Sequence, residues 1–286
     1  MLGECHGHIF MDGRNYRQAA ALYKNGICTE DLRAKLKAYH DAGVQFFRDG
    51  GDPYGASLAA RRIAPEYGID YRTPAFAIHR KGLYGGIVGR AFETVADFRV
   101  LVKEAAEQKA DFIKIMVSGI MDFNFYGKLS CPPLDRETIF EIIRIAHGEG
   151  FAVMAHANGE AVRDALEAGA DSIEHGNYLP EKCAQLFAQT GAFFCPTFSA
   201  VANLIPDGRF PREVTARIHS EHQAFVMQCA RQGVRLVCGS DAGAYLVPHA
   251  QGIQDETGYF AQLGISNVSL AQNESLLAAR FCRGGV

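Results

Sequence analysis

The sequence predicts one α/β domain of the (β/α)8 TIM-barrel class, expected to span residues 1–286, and three observations support this prediction. Short apolar segments alternate with amphipathic segments along the chain, and eight such strand–helix units can be distinguished. Most of the apolar segments follow a glycine that ends the preceding helix. The length suits a single large core, because a barrel of this class takes about 250 residues.

The alternation of apolar strands with helices predicts a parallel sheet whose faces are covered by helices. Eight units favour a closed barrel over an open, doubly wound sheet. The sequence has no G-x-G-x-x-G turn after its first strand and no G-x-x-x-x-G-K-[ST] loop. The nucleotide-binding form of this alternation is therefore unsupported.

The first half of the chain contains four predicted strands and three predicted helices. Thr29, followed by Glu30 and Asp31, opens the first helix, because a capping residue and acidic side chains favour a helix N-terminus. Apolar residues between Phe98 and Ala105 recur at helical spacing. In chain order, the elements are a short strand within 2–10, helix 29–40, strand 44–48, helix 57–66, strand 75–79, helix 94–108 and strand 111–116.

The second half repeats the pattern at closer intervals. Asp135 caps a helix that ends at Gly150, and Gly169 and Gly191 end the next two helices. In chain order, the elements are helix 135–150, strand 151–156, helix 160–168, strand 172–175, helix 180–190, strand 192–196, helix 211–232, strand 234–239, and two closing helices at 255–263 and 270–281.

Composition and charge exclude several classes of function. The net charge of −3 provides neither a basic surface for nucleic acid nor a polybasic patch for membranes, so a small-molecule substrate is expected. The first residues do not resemble a signal or transit peptide, and no apolar run is long enough to span a bilayer. The eight cysteines show no C-x-x-C pairing, and Cys5, Cys195, Cys229 and Cys238 lie in contexts typical of buried free thiols. A reducing, cytoplasmic environment is therefore predicted.

His6 and His8 stand at the end of the first predicted strand, one residue apart. Because side chains in a strand alternate with a period of two, both imidazoles point to the same side. Two converging imidazoles form half of a zinc-type site, although such pairs also occur by chance in loops. The remaining ligands must come from other strand ends.

Chemistry in these barrels takes place at the C-terminal ends of the strands. A lone histidine there can be explained as a core residue, and Asp241 as a helix cap. Lys114 is harder to explain, because burying an unpaired ammonium is costly; it must be paired, neutral or covalently modified. Metal-type ligands at five strand ends together predict a metal site. The polar residues at the strand ends are His6, His8, His79, Lys114, His156, His175 and Asp241.

Five ordered motifs carry the ligand candidates: Cys-His-Gly-His at 5–8, Phe-Ile-Lys-Ile-Met-Val-Ser-Gly at 112–119, Ala-His-Ala-Asn-Gly at 155–159, Ser-Ile-Glu-His-Gly at 172–176 and Gly-Ser-Asp-Ala-Gly at 239–243. With them the sequence resembles, over nearly its whole length, the amidohydrolase superfamily, specifically its binuclear branch related to imidazolonepropionase and prolidase-type dipeptidases. A weaker sixth match, at 247–252, is similar to the family's Pro-His-Gly turn with two residues inserted.

The resemblance implies two divalent metal ions, with zinc as the expected metal. His6 and His8 would bind the more buried ion, and His156 and His175 would bind the more exposed one. Lys114, carboxylated on its amine by carbon dioxide, would bridge both ions as an anionic carbamate.

Asp241 is implied both to bind the more buried ion and to transfer protons. A water that bridges two divalent ions becomes hydroxide near neutral pH and can attack a carbonyl that one of the ions polarises. Asp241 would take the proton during the attack and pass it to the leaving amine. The expected reaction is hydrolysis by a metal-bridged hydroxide.

Three departures from the family pattern stand out. Many relatives carry a small β-sandwich, whereas this chain is expected to be a bare barrel without that accessory domain. Its lower face would then be covered by a partner subunit, so a homo-oligomer is expected. The usual Ser-Gly-Gly after the lysine is Ser118-Gly119-Ile120, and the usual second histidine after strand five is Asn158.

Substrate contacts are expected from the strand-end loops. His79 and Tyr126 are the catalytic candidates for touching the carbonyl or its oxyanion. Arg48 and Arg80 are candidates for binding a carboxylate, although Arg48-Asp49 can also be explained as a loop ion pair. Further loop candidates are Tyr54, Tyr84, Phe125, Phe198 and His249. The histidines within helices, expected to face solvent, are His40, His147, His219 and His222.

The sequence thus predicts a metal-dependent amidohydrolase that opens an amide-type C–N bond in a dipeptide, an N-acyl amino acid or a cyclic amide. One alternative retains the site and changes the bond, because the same hydroxide attacks a lactone or an organophosphate ester. The other alternative is a non-catalytic metal-binding barrel whose loops no longer form a pocket.

Overall fold

The computed structural model describes residues 3–180 and 182–283. Leu2, at the start of the first predicted strand, and Glu181, inside the helix predicted at 180–190, lie outside the described residues, as do both ends of the predicted domain. The strands are β1 Glu4–Gly7, β2 Phe46–Asp49, β3 Asp70–Arg72, β4 Ala77–Arg80, β5 Gly89–Phe92, β6 Ile113–Met116, β7 Val153–Ala157, β8 Ser172–His175, β9 Phe193–Cys195 and β10 Arg235–Leu236. The α-helices are α1 Tyr16–Lys24, α2 Thr29–Asp41, α3 Ala56–Ile63, α4 Val95–Glu107, α5 Arg136–Gly148, α6 Ala161–Glu167, α7 Lys182–Thr190, α8 Ser199–Ala202, α9 Arg212–Arg231, α10 Gln251–Gln262 and α11 Asn267–Arg280.

The strands pair in parallel and form two sheets within the described residues. One sheet has the order β1-β2-β3, and the other has the order β10-β9-β8-β7-β6-β4-β5. Every pairing between these strands is parallel. The predicted parallel α/β fold is therefore confirmed.

Backbone hydrogen bonds connect β1 to the segment that follows β10. The amide of Cys5 donates to the carbonyl of Cys238 over 3.0 Å. The amide of Asp241 donates to the carbonyl of His6 over 2.8 Å. The first and last strand ends are therefore neighbours, as a barrel requires, and closure through all eight strand positions stays a prediction.

The predicted helices are present, with ends within about four residues of those expected, and the predicted caps explain where several begin. Thr94 and Asp97 form a capping box at the start of α4, and the Asp135 side chain accepts from the amide of Thr138 in α5. The helix predicted at 57–66 is shorter, because α3 ends at Ile63 and a 3-10 turn that contains Pro65 follows. None of the helices within residues 3–180 and 182–283 combines the length and the apolarity needed to cross a membrane.

Four elements were missed, namely α1, β3, β5 and the four-residue helix α8. The Asn15 side chain caps α1 by accepting from two backbone amides, but only three of the nine helical residues are buried. β3 has three residues and begins with the exposed Asp70, and β5 has four residues of which two are buried. Such short, partly exposed segments lack the apolar periodicity from which elements are predicted.

The expectation that His222 faces solvent was wrong. His222 lies in α9 and is only 3% exposed. Its ring centroid is 5.2 Å from that of Phe198 and 6.0 Å from that of Phe194. His222 follows Ile218 by four residues and precedes Phe225 by three, so it belongs to the buried stripe of the helix.

Candidate metal centre

The six predicted metal ligands come together at the strand ends, where they line one cavity of about 590 Å³. β1 and the residue just beyond it supply two ligands, β6 to β8 supply three, and the segment after β10 supplies one. Strands distant in sequence thus converge as the barrel rule predicts. The ligands are His6, His8, Lys114, His156, His175 and Asp241.

The distances between these side chains suit metal binding. A carboxylate oxygen of Asp241 lies 3.4 Å from His8 Nε2 and 3.6 Å from His6 Nε2. The three ligand atoms lie within 4.8 Å of one another, which is close enough to hold one ion. The ring of His175 connects this group to His156, with centroids 4.9 Å from His6 and 4.5 Å from His156. A second group of nitrogen ligands therefore adjoins the first.

The four histidines are in the form that binds metal. Burial, followed by the positive charge of Lys114, lowers the pKa of His8 and of His156 to about 3. The pKa of His6 falls well below its usual value for the same two reasons. Burial also lowers the pKa of His175, with the neighbouring histidines adding to the effect. At neutral pH all four imidazoles are uncharged and can donate a lone pair.

Lys114 is the residue whose surroundings fit worst with an ordinary lysine. Its side chain is buried between Ile113 and Ile115, and its Nζ has no hydrogen-bond partner among the described residues. Burial lowers the pKa of this amine to about 8. His6 Nε2 is likewise buried without a hydrogen-bond partner in the described part of the chain. Orphaned nitrogens facing a shared centre fit a bound cation, because an unpaired buried polar group is costly.

A carboxylate fixes the orientation of His6. His6 Nδ1 lies 2.7 Å from Glu174 Oε2. This nitrogen therefore donates a hydrogen bond to the carboxylate, and Nε2 faces the cavity. Glu174 also accepts two hydrogen bonds from Arg48 Nη2, over 2.9 and 3.0 Å. Arg48 Nε donates to the carbonyl of Cys5 over 2.7 Å. A buried chain of contacts thus runs from Arg48 through Glu174 to a predicted metal ligand.

Neither role predicted for Arg48 is correct. The side chain is fully buried and does not reach the cavity, so it cannot bind a substrate carboxylate. It does not pair with Asp49 either, because Asp49 accepts from the amide of Ile9 and the hydroxyl of Tyr71. Arg80 also lies outside the cavity lining and pairs with Asp135 over 3.5 Å.

Two predicted ligands occupy a strained backbone conformation. The φ angles of His175 and Asp241 are 72° and 63°, in the left-handed region that residues other than glycine rarely adopt. His175 Nδ1 is hydrogen-bonded to Thr197 Oγ1 over 2.8 Å, and Thr197 itself has a φ of 52°. Strain of this kind is typical of functional sites.

The glycine after β2 makes room for His8. A Cβ atom on Gly50 would lie 2.2 Å from Cε1 of the imidazole, far inside contact distance. Any larger side chain at this position would displace the ring. The Arg-Asp-Gly-Gly turn at 48–51 therefore provides space for a ligand rather than a contact to substrate.

His79 and Tyr126 do not line the cavity that holds the six ligands. His79 is 7% exposed, and its Nδ1 is hydrogen-bonded to the carbonyl of Arg80. Tyr126 lines a separate cavity of about 380 Å³, where its hydroxyl donates to Glu221. The contacts of these two residues do not support the catalytic roles expected from the sequence.

Sequence reasoning missed Glu174 and Thr197, which orient His6 and His175. Glu174 immediately precedes His175, and strand alternation predicts that the two side chains point to opposite faces. The positive φ of His175 breaks that alternation. The only available signal was the acidic residue inside the Ser-Ile-Glu-His-Gly motif.

The fold and the ligand set define a class of protein: a parallel α/β protein with a histidine-rich centre at its strand ends. No family model matches the chain. Among curated proteins, uncharacterized proteins of Mycobacterium tuberculosis and Mycobacterium bovis are 31% identical over 258 residues, covering 83% of this chain and 64% of each relative. The chain thus spans about 64% of the length of these curated relatives.

Solved structures identify the fold more closely. A Xaa-Pro dipeptidase with bound methionine superposes with a TM-score of 0.77 at 21% identity, over 98% of this chain and 74% of that one. Aspergillus niger ochratoxinase has a TM-score of 0.77 at 17% identity, covering 97% and 71%. Molinate hydrolase has a TM-score of 0.72 at 17% identity, covering 98% and 73%. The chain has the fold of these proteins, a prolidase-type dipeptidase among them, which confirms the predicted resemblance at the level of the fold.

The buried ion pair behind His6 leads to a prediction about stability. In Arg48→Met, Glu174 would be left buried without a counter-charge, and the free energy of unfolding should fall by about 3–5 kcal/mol. Urea denaturation monitored by circular dichroism measures this change. Arg80→Met is the matched control, since its partly exposed pair with Asp135 should contribute less than about 1 kcal/mol. Equal stabilities of the two variants would contradict the role given to Arg48.

Proposed function

We propose that this protein is a metal-dependent hydrolase that opens an amide-type C–N bond in a small substrate. The observation that carries the proposal is the convergence of four neutral histidines, an orphaned lysine amine and a carboxylate on one cavity. Similarity in fold to a Xaa-Pro dipeptidase and to other named hydrolases supports this reaction class. A closed (β/α)8 barrel is part of the same proposal.

The residues would hold two divalent ions, with zinc expected. His6, His8 and Asp241 would bind one ion, and His156 and His175 the other. When bound, such ions activate water and polarise a carbonyl. The protein's part is to supply uncharged imidazoles, to orient them through Glu174 and Thr197, and to keep the floor of the cavity buried.

Lys114 would serve as an anionic bridge after carboxylation. Its amine is buried beside four imidazoles, and burial disfavours the ammonium more than the nearby negative charge of Glu174 favours it. Adding divalent cations to this group makes an unmodified ammonium still less favourable. Capture of carbon dioxide replaces a positive charge with a negative one and provides two oxygen atoms for the metal ions.

Asp241 would hold and transfer the proton of the reaction. Burial raises the pKa of this carboxyl to about 6, and Lys114 opposes the increase. A carboxyl with a pKa near neutrality can accept a proton from water and return it to a leaving amine. The side chain is 16% exposed, so it reaches the cavity in which a substrate would bind.

The cavity favours an amide with an apolar body and an acidic end. Its walls are largely apolar, and three arginines line it: Arg14, Arg17 and Arg209. Arg17 Nε donates to the hydroxyl of Tyr16, and Arg209 stacks on Tyr245, but within residues 3–180 and 182–283 none of the three forms an ion pair with a carboxylate. Guanidinium groups without a carboxylate partner suit the carboxylate of a dipeptide or an N-acyl amino acid.

Two alternatives use the same site differently. A lactone or organophosphate ester could be attacked by the same activated water, but neither requires a guanidinium group to bind a carboxylate. A non-catalytic metal-binding barrel would have loops that no longer form a pocket, and a cavity of about 590 Å³ at the ligands disfavours it.

A turnover screen of zinc-loaded protein with dipeptides, N-acyl amino acids, cyclic imides, lactones and phosphotriesters tests the function. We expect turnover of an acidic amide, with a KM about tenfold higher in Arg17→Gln/Arg209→Gln, as for the loss of about 1.4 kcal/mol of binding free energy. The neutral amide of the same substrate should be unaffected, and Arg62→Gln, on the exposed face of α3, is the control. Turnover of esters alone would establish the first alternative, and turnover of nothing would establish the second.

Lys114 provides a test of the metal centre. Apo protein reconstituted with zinc and bicarbonate should bind about two ions per chain, and fewer when carbon dioxide is excluded. Lys114→Ala should bind at most one ion under either condition, whereas Lys103→Ala, on the exposed face of α4, should behave as the wild type. Elemental analysis measures the ion content. A plain amine at Lys114 beside two bound ions, seen by intact-mass analysis or crystallography, would refute the carbamate.

Asp241 provides a test of the proton transfer. Asp241→Asn retains the size of the side chain and a ligand oxygen, so the fold and most of the metal should remain while turnover falls by roughly 10²-fold or more. The measurements are steady-state kinetics and elemental analysis of the same preparation. Near-native turnover would reduce Asp241 to a ligand or a helix cap.

A further inference from the structure

The loop between β4 and β5, residues 81–88, brings a tyrosine to the metal ligands. Tyr84 lines the cavity together with all six ligands. Its ring lies against that of His156, with centroids 5.0 Å apart and planes inclined by 35°. The side chain is partly exposed, so it forms part of the cavity wall rather than of the core.

Tight packing of the loop fixes the position of this side chain. The amide of Leu83 donates to the Arg80 carbonyl over 3.0 Å, and the amide of Val88 donates to the Gly85 carbonyl over 3.1 Å. Gly85 has a φ of 127°, and a Cβ atom there would lie 2.7 Å from the Cβ of His79. The loop can approach β4 this closely only because residue 85 has no side chain.

The same packing explains why the sequence-based candidate does not reach the cavity. The loop covers His79, whose Cε1 and Nε2 atoms lie 3.8 Å from the position that a Cβ atom of Gly86 would occupy. The residue that the loop presents to the cavity in place of His79 is Tyr84.

The hydroxyl of Tyr84 is free to serve a substrate. It makes no hydrogen bond within residues 3–180 and 182–283, whereas three other polar groups of the cavity wall do. The Tyr16 hydroxyl accepts from Arg17, the Tyr245 hydroxyl is 3.4 Å from Asp207, and the Asn158 amide donates to the Gly119 carbonyl. A tyrosine hydroxyl is an ordinary hydrogen-bond donor near neutral pH.

We propose that Tyr84 is a catalytic residue whose hydroxyl donates a hydrogen bond to the carbonyl oxygen of the scissile bond. This assignment rests on the proposed amide hydrolysis. The bond strengthens as negative charge develops on that oxygen during attack by water, and the proton stays on the phenol oxygen throughout. A neutral donor held in place before the reaction stabilises the transition state more than the bound substrate.

The competing explanation is that the Tyr84 ring only shields His156 from solvent. Tyr84→Phe separates the two explanations, because it removes the hydroxyl and retains the ring. Tyr54→Phe is the matched control: Tyr54 is also partly exposed, and it packs on Phe10 away from the cavity.

The test uses zinc-loaded protein and the best substrate of the turnover screen. Tyr84→Phe should lower kcat by about 10²-fold with KM changed less than about threefold, as for the loss of one oxyanion donor. A phosphonate analogue of the tetrahedral intermediate should bind Tyr84→Phe more weakly by a similar factor, and the carboxylic acid product should bind equally well. Tyr54→Phe should match the wild type in all three measurements.

Each other outcome overturns the assignment. If Tyr84→Phe retains wild-type kcat, the ring only covers His156. If its zinc content or its melting temperature falls beyond that of Tyr54→Phe, Tyr84 is a structural residue. If the wild type turns over none of the substrates, the proposed function fails and the role of Tyr84 falls with it, which distinguishes this failure from the other two.

Discussion

The buried ion pair between Arg48 and Glu174 is the interaction on which the rest of the site depends. Both side chains are inaccessible to solvent, and two hydrogen bonds of 2.9 and 3.0 Å join them. A carboxylate can remain charged at this depth only because a cation faces it. Glu174 can then hold the Nδ1 proton of His6 and leave Nε2 for the cavity. The orientation of a predicted metal ligand is thus decided by a charge on the second strand.

Three residues at this site are held in a strained backbone conformation by contacts from other parts of the chain. His175, Thr197 and Asp241 all have positive φ angles, and each such residue costs on the order of 1–3 kcal/mol. Contacts from distant parts of the chain hold them there. The buried carboxylate of Glu256 accepts from the two backbone amides that follow Thr197, over 2.8 Å each, and the Asp241 amide donates to the carbonyl of His6. The surrounding fold therefore stabilises a ligand arrangement that the local sequence would not adopt.

The cavity combines three environments that suit different parts of one substrate. Its floor holds the uncharged imidazoles and Lys114, its walls are mostly apolar, and Arg14, Arg17 and Arg209 bring positive charge. An acidic amide would place its carboxylate against the arginines and its scissile bond at the floor. Tyr84, at the side of the floor next to His156, would then face the carbonyl. The proposed substrate class and the proposed role of Tyr84 as a hydrogen-bond donor are thus consistent with the same placement of the substrate.

The sequence by itself determined the parallel α/β class and the six residues that meet in the cavity, because strand periodicity and the barrel rule act on neighbouring residues and on chain order. It could not determine which residues pack against these six or which loops cover the strand ends. Arg48 was assigned to substrate and His222 to solvent, yet both are buried, and His79 is covered by a loop that presents Tyr84 instead. Which side of a strand end a residue faces, when its φ is positive, and which loop covers it are decided by packing between segments far apart in the chain. Only the tertiary structure contains that information.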